Sequence, residues 1–401
     1  MSDLFFYDDV TARAFEPFAL TRPACELRAG ALLVRERWEN ALRMRTAGFV
    51  SSSHLASFEE PGATRAATGR MKAGSILVNA RCAIALSSLA PADAWKVAER
   101  VAAVTLARDV DAAELGNGKA TLESFAKSGG RTIEASGRWM DHVWDFIGYL
   151  QPMLGEDVIA LAGRSASTSV GMAVKAQLVF TEGGATIEPH VHFDTAAGPV
   201  LVRSDATVQA FTRVVGPCVI GAQSVVGVDR ISGCSIGDGC RVHGELSATI
   251  ILGHTNKAHE GFVGHSYLGR WVNLGAGTTT SNLKNTYGRV SLWTPAGEKE
   301  TELQFLGSFI GDHAKTGIGT LLTTGSVIGA GANIYGSGLP PRVVPPFAWG
   351  DGAPYATYKL DKFLEVARVV MERRKVALSE NGKALLAAAH KKRWTVGRTK
   401  R

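Results

Sequence analysis

The sequence predicts three parts in series: a small N-terminal α/β domain over residues 1–150, a parallel β-helix of hexapeptide repeats over 151–350, and a C-terminal α-helix with a basic tail over 351–401. Three observations carry this. Short strand-like and helix-like runs alternate through the first 150 residues. After about Thr181 an aliphatic residue followed by glycine recurs roughly every six positions. After residue 350 the apolar spacing becomes helical.

In the first part, FFYDD (5–9) reads as a short strand ending in acids. ELRAGALLVRERWENALRM (26–44) contains a helix-like run in which Leu33, Trp38, Ala41 and Leu42 share a face. SILVNARCAIA (75–85) returns to strand, and an amphipathic helix is expected from about Trp139 to Leu150, with Gln151 and Pro152 opening a connector.

The repeat is visible at Val215-Gly216, Ile220-Gly221, Val226-Gly227 and Ile236-Gly237. It returns at Val263-Gly264, Leu268-Gly269 and Leu274-Gly275, and again at Ile310-Gly311, Ile318-Gly319 and Ile328-Gly329. Short strands with one inward aliphatic side chain per face stack into a prism of about 18 residues per coil, whose core exists only through stacking. A polar stretch near 281–304 is expected as an external loop or locally extended strands. A proline-rich exit at 336–350 is expected to stop the repeat. Beyond it, Leu360, Phe363, Leu364, Ala367, Val370 and Met371 form the apolar stripe of one long helix.

Composition narrows the class. A 45% apolar content over 401 residues excludes global disorder, and no apolar run approaches the roughly 20 residues of a membrane span. Aspartates near the N-terminus stand where a secretory signal carries a basic region, so a soluble, cytoplasmic protein is expected. Five cysteines without paired CxxC spacing read as reduced thiols. The net charge of +7 owes much to six cations in the last eleven residues, a solubilising tail and not a specific nucleic-acid surface.

The chemistry-bearing stretch is NKAHEGFVGHSYLGRWVNLGAGTTTSNLKN (256–285). His259 at a coil edge suits proton transfer near neutral pH, although a histidine there also serves simply to hydrogen-bond a corner. Backbone N–H groups of Gly275, Ala276 and Gly277 are candidates to meet an oxyanion. His254, His265 and Asn273 are candidates to orient a base or acceptor, and Lys257 and Lys284 to face phosphate. PHVHFD (189–194) puts His190, His192 and Asp194 on one side of a strand, which is either part of a metal site without a third ligand or a polar coil face. In the first part, Arg22, Arg28, Arg35 and Arg37 suit phosphate or carboxylate, or are ordinary solvated arginines. Asp8 and Asp9 at a strand end suit Mg2+ beside phosphates. GNGKAT (116–121) lacks the Gly-Lys-Ser/Thr ending of a P-loop, and no GxGxxG fingerprint occurs.

The repeats, GFVGHSYLGRWVNLGAGTTTSNLKN and LTRPACELRAGALLVRERW together resemble a GlmU-like sugar-nucleotidyltransferase family, related to the bifunctional N-acetylglucosamine-1-phosphate uridylyltransferase/glucosamine-1-phosphate acetyltransferase. The resemblance covers most of the chain to about Gly350. It implies an N-terminal nucleotidyltransferase-like domain and a left-handed β-helix that works as a homotrimer with acyl-CoA as donor. It places His259-Glu260-Gly261-Phe262-Val263-Gly264 on the element carrying the acetyltransferase base. It also places Asn273-Leu274-Gly275-Ala276-Gly277 and Asn282 on the later glycine-rich turn and asparagine, while Lys284 is a candidate donor contact by its charge alone. The first domain departs from the family by lacking its glycine-rich nucleotide loop, Arg-Met and Pro-Lys elements, which leaves Arg22 and Arg28 as phosphate candidates. Lys284-Asn285 replaces the usual acidic continuation. The expected function is acyl-CoA-dependent acyl transfer to an amino-sugar phosphate or nucleotide sugar. The alternatives are Mg2+-assisted nucleotidyl transfer to a sugar 1-phosphate, or a non-catalytic sugar-nucleotide-binding solenoid.

Overall fold

A computed structural model describes residues 3–163 and 178–395; the last charges of the basic tail, Arg398, Lys400 and Arg401, lie outside the described residues. The chain forms two compact units. The first holds the residues up to Asp145 together with Ser379–Lys392, and the second holds Phe146–Leu378 with the residues after 392.

The first unit is built on a six-stranded mixed sheet. Leu4–Tyr7 lies between Thr46–Val50 and Ile76–Asn79, parallel to both, and Arg100–Thr105 runs antiparallel to Ile76–Asn79. The helix read in 26–44 spans Val34–Leu42 and buries Trp38, whose indole N–H donates to the Cys82 carbonyl at 2.8 Å. The helix expected at Trp139–Leu150 is met only at Asp145–Gly148, a short helix late in that window. Gly137–Trp139 is a strand paired antiparallel with Cys82–Ile84, and the indole of Trp139 donates to the Val97 carbonyl at 2.9 Å. The long helix is Leu150–Ala162 in the second unit. Pro152 falls in its first turn, where the missing N–H has no intrahelical partner to lose.

The second unit contains a parallel β-solenoid whose strands stack into a nine-stranded sheet, a ten-stranded sheet and a five-stranded sheet. On one face Ile220, Ile236, Ile251, Leu268, Ile310, Ile328 and Val344 follow one another coil by coil. All are fully buried, so the hexapeptide's aliphatic position is the core. Glycine is required where coils approach: a Cβ on Gly237 would run into the Leu252 carbonyl of the next coil. The polar stretch leaves after Thr279–Thr280 and forms an antiparallel hairpin, Ser291–Thr294 with Gly297–Glu300. The proline-rich exit does not stop the solenoid. Val343–Val344 and Ala348–Gly350 add another coil to two of the sheets, because prolines 345 and 346 fall between the strands, where no ladder N–H is needed.

The C-terminal region forms two helices, Leu360–Glu372 and Glu380–Lys392, where one was expected. Phe363, Ala367 and Met371 are the buried stripe of the first, with the Phe363 ring 4.9 Å from that of Phe347. The second belongs to the first unit, where Ser379 Oγ donates to Glu59 Oε2 at 2.7 Å. All five cysteines are buried and none is in a disulfide. Among the described residues no helix is long and apolar enough to cross a membrane.

Candidate functional site

The inward ladder on the ten-stranded sheet runs Val208, Val226, Val242 and then Lys257. A lysine therefore occupies an aliphatic position, and it is 2% exposed. Its ammonium ends the problem of burial by donating to the carbonyls of His243 at 2.7 Å and His259 at 2.5 Å. Desolvation pulls its pKa down to about 8, against the opposing influence of Glu260 and Asp229. Lys257 thus does not face solvent as a phosphate ligand. It fixes the main chain on which His259 stands.

His259 is exposed at this corner. The glycine-rich turn lies one coil on, where Gly277 N donates to the Glu260 carbonyl at 3.2 Å. Gly275 N is committed to Thr316, at 3.1 Å to its carbonyl. The Ala276 carbonyl accepts from Gly319 N at 2.7 Å, but among the described residues the Ala276 N–H has no acceptor. Of the three backbone donors read from the sequence, Ala276 is the one left to meet a ligand. Gly277 turns through the left-handed region at φ 71° to make this presentation.

The other predicted side chains divide between neighbouring places. Asn273 accepts from Asn256 Nδ2 at 2.9 Å on the outer face of the coil. Asn282 reaches His265, not His259: its Nδ2 lies 2.8 Å from His265 Nδ1, and the His265 ring stacks 5.4 Å from Phe305. Burial lowers the His265 pKa, so the ring is neutral at neutral pH. This pair pins the root of the hairpin excursion, where Leu306 N also donates to the Asn282 carbonyl at 2.9 Å. Lys284 is half-buried and its carbonyl accepts from Tyr287 N at 2.8 Å. His254 stacks on Trp271 with centroids 4.3 Å apart.

In the first unit the predicted basic series is turned inward. Arg22 is 1% exposed and bidentate with Glu60, at 2.8 and 3.2 Å. Arg28 donates to the Ala31 carbonyl, Arg35 to Glu26 and Glu39, and Arg37 to the Ile84 and Ala29 carbonyls. Asp8 is buried, accepts from Ser51 Oγ at 2.5 Å and from Ala24 N, and burial raises its pKa to about 6. Burial also pushes Asp9 upward, but Arg81 outweighs it and the net shift is down. Asp9 accepts from Arg81 Nε and Nη2, from Asn79 Nδ2 at 3.0 Å, and from the N–H groups of Thr11 and Ala12. Its oxygens are taken by these donors, so the Asp8–Asp9 pair does not fit Mg2+. Arg81 also meets Asp141 at 2.5 Å, which Arg100 joins at 2.9 Å. This network was missed because Asp9, Arg81 and Asp141 are far apart in sequence and no local spacing announces them. Among the described residues no group of three or more His, Cys, Asp or Glu side chains is placed to hold a metal, and Asp194 of PHVHFD pairs with Arg213 at 2.7 Å.

A sugar nucleotidyl transferase family model matches residues 4–165. A bifunctional sugar-1-phosphate nucleotidylyltransferase/acetyltransferase from Sulfurisphaera tokodaii is 34% identical over 91 residues, 23% of each chain. The bifunctional protein GlmU of Methanococcus vannielii is 34% identical over 90 residues, 22% of each chain. That of Acaryochloris marina is 30% identical over 131 residues, 32% of this chain and 25% of the relative. The matched stretches thus span about a quarter of the length of these relatives. A UDP-N-acetylglucosamine acyltransferase structure aligns with 47% of this chain and 71% of its own at 14% identity, with a TM-score of 0.21, too low to carry weight. A nucleotidyltransferase-like first domain and a hexapeptide solenoid are together consistent with GlmU-type architecture.

Proposed function

We propose that the second unit transfers an acyl group from acyl-CoA to the amine of an amino-sugar phosphate or nucleotide sugar, at the coil corner carrying His259. The observation that carries this reading is the convergence of three features. An exposed imidazole stands on a main chain anchored by buried Lys257, and an uncommitted Ala276 N–H is presented one coil away.

Each feature has a task in acyl transfer. The acceptor amine attacks the thioester carbonyl as a neutral nucleophile, and His259 takes the proton it sheds as the C–N bond forms. The carbonyl oxygen becomes an oxyanion, for which the Ala276 N–H is a preorganised donor. Collapse restores the carbonyl and releases CoA as the thiol. Lys257 acts through the His259 carbonyl as a positioning residue. Asn273, Asn282 and Lys284 flank the corner as candidate substrate and donor contacts. The left-handed homotrimer that the resemblance implies belongs to this reading, and sedimentation at several concentrations tests it.

The experiment is a panel of amino-sugar phosphates and nucleotide sugars incubated with acetyl-CoA and longer acyl-CoAs, with thiol release and product mass as readouts. Acylated product that disappears in His259→Ala while the assembly persists supports the reading.

A second reading is favoured by the family model over residues 4–165: nucleotidyl transfer to a sugar 1-phosphate by the first unit. It does not rest on Arg22 or Arg28, whose guanidinium groups are buried and bonded within the unit. Pyrophosphate release from a nucleoside triphosphate and a sugar 1-phosphate, insensitive to His259→Ala, identifies it. Binding without turnover on either panel identifies a sugar-nucleotide-binding solenoid.

A further inference from the structure

On the outer face of the coil, a cavity of about 290 Å3 opens between the solenoid and the end of helix Leu360–Glu372. Asn256, Asn273 and Lys315 come to it from three successive coils, in register with one another. Arg373 and Arg374 come to it from the helix end. No carboxylate lines the cavity, and among the described residues none pairs with Lys315, Arg373 or Arg374. The contrast with Arg368 on the same helix, which is held by Glu372 at 2.7 Å, shows that acids were available to the design of this segment.

Three cations face one small space without a counter-charge. The Lys315 ammonium has only a long contact, 3.4 Å, to the His313 carbonyl, and burial pulls its pKa down to about 8. Arg374 is also pushed down, first by burial and then by the charges of Arg241 and Arg373. Helix carbonyls favour cations at a C-terminus, which accounts for Arg373 and Arg374 being tolerated there. That field does not account for Lys315, which arrives from the coil. Asn273 gives its Oδ1 to Asn256, so its amide N–H groups remain as further donors on the same wall.

We propose that this cavity binds a diphosphate group. Guanidinium and ammonium donors brought together in one cleft select phosphate oxygens. A single phosphate dianion leaves one of the three positive charges unmatched, whereas two linked phosphates carry about three negative charges at neutral pH. The volume is at the low end of small-molecule pockets, which begin at about 300 Å3, so it admits the diphosphate head and leaves any attached nucleoside outside. The site shares Asn273 with the acyl-transfer reading, where that side chain is a candidate substrate contact, but its three cations have no part in deprotonating an acceptor or holding the oxyanion, so the two readings are tested by different variants.

Titration calorimetry on the full chain at low ionic strength, with inorganic pyrophosphate, a nucleoside diphosphate and inorganic phosphate as separate probes, tests it. Wild type is expected to bind the first two and to bind inorganic phosphate more weakly. Arg373→Ala combined with Arg374→Ala, and separately Lys315→Met, should each weaken binding by about tenfold or more, the usual scale for removing a charged hydrogen-bond donor. The arginines stand at a helix end and Lys315 on the coil, so failure of one variant to fold leaves the other as the test. His259→Ala should bind as wild type, which separates failure here from failure of the acyl-transfer reading. Equal affinity for the two diphosphates assigns recognition to the diphosphate alone, and tighter nucleoside diphosphate binding adds nucleoside contacts; both support the site. No binding, binding unchanged in a folded cation variant, or inorganic phosphate binding as tightly as pyrophosphate overturns it.

Discussion

Replacing Lys257 by methionine separates the two consequences of placing an ammonium in a solenoid core. The folded pKa of about 8 lies below the ordinary 10.5, so as pH falls the unfolded chain takes up its proton first. The resulting cost to folding is fully present below pH 8 and fades as pH rises toward 10.5. At about 1.36 kcal/mol for each pH unit between the two values, that cost is about 3 kcal/mol at pH 7. Methionine removes it but strips donors from two carbonyls, at about 1–3 kcal/mol for each group left unsatisfied in the buried interior. The two effects nearly cancel at pH 7, so the variant should be about as stable as wild type there. At pH 10 less than about 1 kcal/mol of that cost remains beside the hydrogen-bond loss, and wild type should gain about 2–3 kcal/mol over the variant. Urea unfolding of both proteins at pH 7 and pH 10, compared as a difference so that other titrations cancel, measures this. A difference that stays constant with pH refutes the buried-charge account. Turnover should fall in the same variant by about tenfold to a hundredfold, as expected when a catalytic group loses its main-chain anchor.

Three further outcomes follow from the packing and charges. Asp8 has a folded pKa of about 6 against an ordinary 3.8, so its charge penalises folding above pH 6 and the penalty is lost as pH falls toward 4. Asp8→Asn should remove this contribution of about 3 kcal/mol and flatten the acid limb of the first unit's stability, read from thermal melts between pH 4 and pH 7. Ile236→Ala, between Ile220 and Ile251 in the fully buried ladder, should destabilise the solenoid by about 2–5 kcal/mol in denaturant titrations. His265→Ala should cost about 1–2 kcal/mol by freeing Asn282 while leaving acyl transfer active. A loss of turnover as deep as that of His259→Ala would move the base to His265.

The solenoid was legible because its physics is repetitive: each coil needs one inward aliphatic residue per face, and Ile220, Ile236 and Ile328 mark that position directly. Lys257 was read as facing phosphate because composition cannot show that its position is the one Val242 fills on the preceding coil. The stretch 256–285 drew attention to His259 and the glycine-rich turn, which lie on adjacent coils. Which of three N–H groups stays uncommitted depends on the next coil's carbonyls, which no spacing reveals. Arg22, Arg28, Arg35 and Arg37 looked like a phosphate-binding series, but Glu26, Glu39 and Glu60 and nearby carbonyls claim most of that charge within the first unit. The helix predicted at Trp139–Leu150 was drawn too early because Trp139 is apolar for a strand's reason, pairing with Cys82, and because Pro152 looked like a breaker. The Glu380–Lys392 helix joins the first unit through contacts more than 300 residues away in sequence, such as Ser379 to Glu59, beyond any local pattern.

The central claim is that His259 accepts the acceptor's proton on an anchored coil corner. The most direct measurement is single-turnover acyl transfer by wild type and His259→Ala on the amino-sugar substrate that the panel selects, with sedimentation confirming the same assembly for both. The account predicts a loss of at least about a hundredfold in the chemical step, within the range for a positioned general base. Equal rates in two identically assembled proteins would contradict it.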